Sequence, residues 1–404
     1  MNQIRNQIEW FKNNTDVVYL DSAATALKPD VVLKAINNYI SFDCTNPHNT
    51  NSDFAYKTAI VIDSTRAKLA DYIGTNKEQV IFTPGATFSL NMIADSLNDL
   101  LSDGDEILIT NAEHASNILP WLKIKETKNI KVSFVSIDVN DSLSTENKII
   151  NSVSKKTRIV SFANGFNLVG LKLDAKKIAN EIKKNNPNVI VVVDATQFLA
   201  FNKMELKNSQ IDFLVGSAHK MMGPTGIGLL YISPTYFDVI KPKVVGGGMN
   251  HTITKNDYSL MDGVMKYEAG TPNVLGIYGW QAALNFYDTF DIQSESYRIY
   301  QLKKYFDKEL LKIKNVIVYN KNIESSITIF KYEGVFSQDL ASYLGSKNII
   351  VRSGLSCAKL AHEVINAFDV VRVSMHFYNT KADLDKLIDI MKNFKKGDEL
   401  DGII

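Results

Sequence analysis

Between Gln79 and Ile232 the chain repeats one alternation, a short apolar, β-branched run followed by an amphipathic stretch. The runs are Gln79–Thr83, Glu106–Thr110, Lys131–Ile137, Arg158–Ala163, Val189–Asp194, Phe213–Gly216 and Ile227–Ile232. They are continuous rather than alternating, VIVVVD (189–194) above all, so each strand must be covered on both faces. Helical patterns over Thr87–Leu100, from Ala115, and over Ala175–Lys184 fall between them. Strands taking turns with helices predict an α/β fold with a large, mainly parallel, seven-stranded sheet.

From about residue 285 the pattern changes. A long helix over Gln293–Lys314 precedes a strand at Ile327–Tyr332, a helix near Gln338–Leu344, strands at Ile349–Arg352 and Val371–Ser374, and a last helix from Lys381. This predicts a large domain over 21–285 and a smaller α+β domain over 286–404, with residues 1–20 packing against the latter. A long connecting helix is expected between the two.

With 45 Lys+Arg against 44 Asp+Glu in 404 residues, the net charge of +1 leaves no electrostatic footprint for nucleic acid or an anionic membrane. No apolar run reaches the roughly 18 residues of a membrane span, and the first residues lack the apolar core of a signal peptide. Two cysteines, Cys44 and Cys357, cannot build a disulfide framework, and with six scattered His they make structural zinc improbable. A cytoplasmic setting is expected.

In a parallel α/β sheet, ligands sit beyond the carboxyl ends of the strands. After the run ending at Thr83 comes Pro84-Gly85-Ala86-Thr87, opening a helix whose free N–H groups suit a phosphate, although the segment also reads as a plain strand–helix turn. Asp194 closes a wholly apolar run, which is costly unless a cation meets it, from the protein or from a ligand. Lys220 follows another strand on a glycine-bounded loop; alone it would pass for a surface charge. Together these are the parts of a pyridoxal 5'-phosphate site: an amine for the aldehyde, an anion cradle, and a carboxylate that keeps the pyridine nitrogen protonated. A unit-charge pair about 4 Å apart contributes roughly 4 kcal/mol at an effective dielectric near 20, or about three pKa units on the ring.

The sequence resembles the fold-type-I, class V aminotransferase-like enzymes, and among them the SUF-type (group II) cysteine desulfurases and selenocysteine lyases. The matching stretches run from Tyr19 to Thr380: YLDSAAT (19–25), IFTPGATFSLNMIA (81–94), EHASNILPW (113–121), NLVG (167–170), DATQ (194–197), SAHKMMGPTGIG (217–228), GGGM (246–249), YEAGTPN (267–273), RSGLSCA (352–358) and YNT (378–380). The resemblance implies a fold-type-I transferase that converts L-cysteine, or L-selenocysteine, to alanine. It implies Lys220 as the Schiff-base lysine and proton shuttle, Asp194 as the pyridinium partner and Gln197 as the partner of the ring hydroxyl. His114 would stack on the ring, though a histidine at a helix start also reads as a cap. Ala86, Thr87, Ser217 and His219 would hold the phosphate, with Thr271 reaching that of a second subunit in a homodimer, and Asn167 would contact cofactor or substrate.

For the substrate, Arg352 has the planar fork that suits a carboxylate, although it also reads as a surface arginine at a strand end. The resemblance implies Arg372, which matches a further family arginine near the substrate, in support. In the family the cysteine matching Cys357 attacks the substrate sulfur and becomes a persulfide. That sulfur would pass to a scaffold protein for iron–sulfur cluster assembly or to tRNA thiolation. Other reactions on the same scaffold (a β-lyase, an epimerase, an aminotransferase) would keep Lys220 and Asp194 but need no Cys357. Three departures stand out: Leu355-Ser356 where the family often has a His pair, His48-Asn49-Thr50 where it has an arginine-containing segment, and Ala86-Thr87 where it has a Thr pair. Cys44 lies outside every motif and reads as structural.

Overall fold

The computed structural model describes residues 3–49 and 51–402. Thr50 and the extreme ends of the two terminal spans therefore lie outside the described residues. In chain order the strands are β1 (Val18–Tyr19), β2 (Val80–Thr83), β3 (Glu106–Thr110), β4 (Lys131–Val135), β5 (Thr157–Ala163), β6 (Ile190–Asp194), β7 (Phe213–Ser217) and β8 (Gly228–Ile232). A hairpin of β9 (Asn250–Ile253) and β10 (Tyr258–Leu260) follows. Last come β11 (Val316–Val318), β12 (Ile327–Tyr332), β13 (Ile349–Ile350), β14 (Arg352–Ser353) and β15 (Val371–Ser374).

The main sheet has seven strands in the order β2-β8-β7-β6-β5-β3-β4. Its continuous apolar runs are explained by what lies on each face. Ile190 and Val192 join Ile107, Ile159, Phe213, Val215 and Leu230 on one side, while Val191 and Val193 join Leu108, Val160, Phe162 and Leu214 on the other. Helices Ala86–Leu97 and Leu119–Lys125 cover the first side through Leu90, Ile93, Leu97, Trp121 and Ile124. Burying one such side chain contributes roughly 1.5–3 kcal/mol, so a polar residue on either face of β6 is costly.

Four pairings in this sheet are parallel, but β8 runs antiparallel to both β7 and β2. The segment between β7 and β8 is shorter than the dozen or so residues a parallel crossover needs, so it turns back and leaves its residues at the sheet's edge. That segment carries His219 and Lys220.

The second sheet is β11-β12-β15-β14, wholly antiparallel. The strand expected over Ile349–Arg352 divides at Val351: β13 pairs in parallel with β1, while β14 pairs with β15. The connecting helix is likewise two helices, Val274–Tyr287 and Ile292–Leu310, and the Asp291 side chain caps the second by accepting from Gln293 N at 3.0 Å. Helices Asp30–Asn38, Asp53–Ile73 and Ser142–Asn151 were not anticipated. Cys44, read as structural, is exposed.

Candidate active site

A cavity of about 360 Å³ opens beyond the carboxyl ends of β5, β6 and β7. Its wall takes in Ala86, Thr87, His114, Asn167, Asp194, Gln197, Ser217, His219, Lys220, Arg352, Cys357 and Arg372, every candidate named from the sequence except Thr271. Thr271 lines a neighbouring cavity with Phe88, Gly226 and Tyr267.

At one end helix Ala86–Leu97 begins at Gly85, whose φ of +151° favours glycine, and β8 passes beneath. A Cβ on Gly228 would lie 2.5 Å from the Gly216 carbonyl oxygen and 2.6 Å from Gly85 Cα, so only glycine fits there. The first free amide, Ala86 N, donates to Ser217 Oγ at 2.9 Å, and Thr87 Oγ1 lies 2.7 Å from Ser116 Oγ. The His219 imidazole is pushed down to about 3 by burial, then by Lys220 and Lys28, so it is neutral near pH 7.

At the floor, Asp194 is buried and makes no ion pair among the described residues, where its Oδ1 accepts only from Thr196 N, at 3.0 Å. An enclosed carboxylate answered by one amide calls for a cationic ligand. Gln197 Nε2 donates to the Ala23 carbonyl at 2.9 Å. Lys220 Nζ donates to the Ala23 carbonyl and, at 2.7 Å, to that of Ala24. Burial, and secondarily the charge of Arg372, push the Lys220 amine down to about 7. The His114 imidazole is lowered as well, chiefly by burial. His114 does act as a cap, its Nδ1 accepting from Ser116 N at 3.1 Å, while its ring still lines the cavity.

The cysteine loop closes the other end. Gly354, Ser356 and Cys357 all have positive φ (+77°, +46° and +66°). Such backbone is strained for the two non-glycine residues, by about 1–3 kcal/mol each. Four bonds hold it: Ala358 N donates to the Leu355 carbonyl at 2.7 Å, Gly354 N to the Val370 carbonyl at 2.9 Å, Asn167 Nδ2 to the Ser356 carbonyl at 2.7 Å, and Ala115 N to that of Cys357 at 2.9 Å. The Cys357 thiol is free and exposed. Arg352 stands opposite Arg372 across β14 and β15. Arg372 is anchored through Nη2 to Asp21 Oδ1 (2.6 Å) and through Nη1 to the Asn167 carbonyl (2.9 Å).

Several residues of the site were not named from the sequence. Ala23 and Ala24 act through backbone oxygens, which carry no side-chain signal, although their motif was among the matching stretches. Glu113 is fully enclosed, accepting from Thr110 Oγ1 (2.6 Å) and Ala163 N (3.0 Å) on Oε1 and from Asn117 Nδ2 (2.8 Å) on Oε2. It thereby ties the His114 turn to the end of β5, where Ala163 pairs with Asp194.

Among the described residues three buried polar atoms have no partner and belong to residues that line the cavity: Thr196 Oγ1, Ser356 Oγ and Arg372 Nε. Polar atoms left so are uncommon in a finished core. Together with the amide-lined helix start, the unpaired acid and an amine driven toward neutrality, they fit pyridoxal phosphate.

A sheet of this topology with a buried lysine after its antiparallel turn defines the class of fold-type-I enzymes. The chain belongs to the aminotransferase class-V family, whose model matches residues 18–387. A probable cysteine desulfurase of Ureaplasma parvum is 46% identical over the whole of both chains. Among solved structures, the apo cysteine desulfurase of Thermococcus onnurineus superposes with a TM-score of 0.91 at 28% identity, covering 98% of each chain. An S-sulfonic acid form of a cysteine desulfurase from Escherichia coli gives 0.89 at 29% identity, covering 97% of each. Among the described residues no helix is long and apolar enough to cross a membrane, and no cluster of His, Cys, Asp and Glu could hold a metal ion.

Proposed function

We propose that this protein is a pyridoxal-phosphate-dependent cysteine desulfurase that moves the sulfur of L-cysteine onto Cys357 and releases L-alanine. The observation that carries the reading is one cavity lined by Lys220, Asp194 and an exposed thiol, Cys357. The named relatives support it.

The phosphate would be held by Ala86 N, Thr87, Ser217 and the neutral His219, the ring by Asp194, Gln197, Asn167 and His114, and the aldehyde carbon by Lys220. When bound, the cofactor supplies an electron sink for the bonds at the substrate α-carbon. A lysine poised at about 7 can be a neutral nucleophile toward the aldehyde and can take or return a proton at the α-carbon near neutral pH. Arg352 and Arg372 would grip the substrate carboxylate. Cys357, as thiolate, forms a bond to the substrate sulfur as the substrate carbon–sulfur bond breaks. The net change is cysteine plus thiol to alanine plus persulfide, with no external oxidant or reductant.

The reading extends to a homodimer, with Thr271 serving the partner's phosphate site. Exposed apolar residues Val244, Val245, Ile253, Tyr258 and Met261 support that face as an interface. It extends also to a cytoplasmic setting, and to a scaffold protein that collects the sulfur from the exposed Cys357.

The test is brief exposure of the purified holoenzyme to L-cysteine, followed by alanine assay and mass spectrometry. One added sulfur on Cys357, and loss of alanine formation in Cys357→Ala, are expected. Pyruvate and ammonia in place of alanine would overturn the reading.

A further inference from the structure

Ser356 precedes the cysteine and belongs to no role assigned above. Its Oγ is buried on the cavity wall without a partner, and its backbone is fixed in a left-handed conformation by Asn167. The same Asn167 receives Arg372 Nη1 on its carbonyl, so serine and guanidinium hang from one residue. Arg372 Nε is the second unpartnered donor on this wall. The side chain of Arg352, its neighbour across the strands, makes no hydrogen bond or ion pair among the described residues.

Arg352 and Arg372 therefore stand opposite each other across the strands, and among the described residues Asp21 answers only Arg372. This end of the cavity thus sets two cations against one carboxylate, and two donors without acceptors, Ser356 Oγ and Arg372 Nε, belong to residues that line it. A hydroxyl that could serve either as donor or acceptor is constrained by such company to donate to an anion.

We propose that Ser356 is a specificity-determining residue whose hydroxyl donates to the α-carboxylate of the amino-acid substrate, completing the grip of Arg352 and Arg372. This inference rests on the cysteine desulfurase reading. It makes Leu355-Ser356 a substrate-selecting device and not merely a lost His pair.

The experiment compares holoenzyme carrying Cys357→Ala with the same protein also carrying Ser356→Ala or Ser356→Gly. Cofactor absorbance is titrated with L-cysteine and with cysteamine, the same molecule without its carboxylate. Loss of a hydrogen bond to a charged group should raise the L-cysteine Kd about tenfold or more in both variants and leave that of cysteamine within about twofold. In the Cys357 enzyme, KM for L-cysteine should rise with kcat little changed.

Ser356→Gly keeps the left-handed backbone at no cost, so it separates hydroxyl from conformation and stands in should Ser356→Ala fold poorly. Equal weakening of both ligands, an unchanged L-cysteine Kd, or a fall in kcat with KM intact would overturn the proposal. The last would make the hydroxyl a partner of Cys357 instead. A Ser356 enzyme that neither binds nor turns over L-cysteine would sink the desulfurase reading itself.

Discussion

Replacing Lys220 by methionine should stabilise the apoprotein, and by an amount that depends on pH in one direction. The amine titrates at about 7 in the folded chain against 10.5 for a free lysine, because burial and then Arg372 disfavour its charge. At about 1.4 kcal/mol per pH unit, that gap is worth up to about 5 kcal/mol. The sign follows from where each state holds its proton. Above 10.5 both states are neutral and folding incurs no penalty. As the pH falls toward 7 the unfolded chain is protonated while the native lysine is not, so stability is lost steadily; below 7 the loss is complete and constant. Lys220→Met removes the titration. Urea unfolding of the two apoproteins between pH 7 and 10 should show the variant ahead by several kcal/mol at pH 7, the lead shrinking by about 1.4 kcal/mol per unit toward pH 10. Lost hydrogen bonds to the Ala23 and Ala24 carbonyls alter the size of the lead but not its slope. Parallel stability curves would refute the argument, because a lysine free to keep its proton cannot be the poised nucleophile.

Asn167→Ala removes one of the bonds on the cysteine loop, worth about 1 kcal/mol. Iodoacetamide should then modify Cys357 about fivefold faster, with exposed Cys44 as the internal standard. The Glu113 carboxyl, pushed up to about 7 by burial, contributes stability that is full below its unfolded value near 4.5 and lost as pH rises through 7. The stability of Glu113 protein relative to Glu113→Gln should therefore drop by about 3 kcal/mol between those limits, and a flat difference in urea unfolding would contradict the enclosed carboxyl.

The runs that became β5, β6 and β7 were legible because both faces of the sheet demand apolar residues, a local requirement written at consecutive positions. Direction was not: nothing in Ile227–Ile232 says that β8 runs against its neighbours, and only the short connection from Ser217 decides it. The division at Val351 was equally hidden, since β13 is defined by Val18 and Tyr19, far away in sequence. Helix Asp53–Ile73 escaped notice because its buried face includes Thr58, Thr65 and Arg66. Arg66 is neutralised there by a two-pronged contact with Glu268 at 2.6 and 2.9 Å, a partner no local pattern reveals. In the site, side chains that act by charge or nucleophilicity stood out by type and spacing. Glu113, which acts by position, did not.

The cysteine loop shows what the assembled site adds beyond its separate motifs. Two non-glycine residues in left-handed backbone cost about 1–3 kcal/mol each, while the four bonds that hold the loop return about 0.5–1.5 kcal/mol each. The sums nearly cancel, so the loop is held in place by a small margin. One of these restraints comes from Asn167, which also holds Arg372, and another from Ala115, next to His114. A ligand that draws on Arg372 or His114 therefore acts on the restraints of Cys357 as well. On the proposed reading the thiol would meet a substrate sulfur inside the cavity and then offer its cargo outside. A loop clamped by several kcal/mol would do only the first, and an unrestrained one would do neither reliably. On that reading, near-balance between strain and restraint would let one cysteine serve both positions.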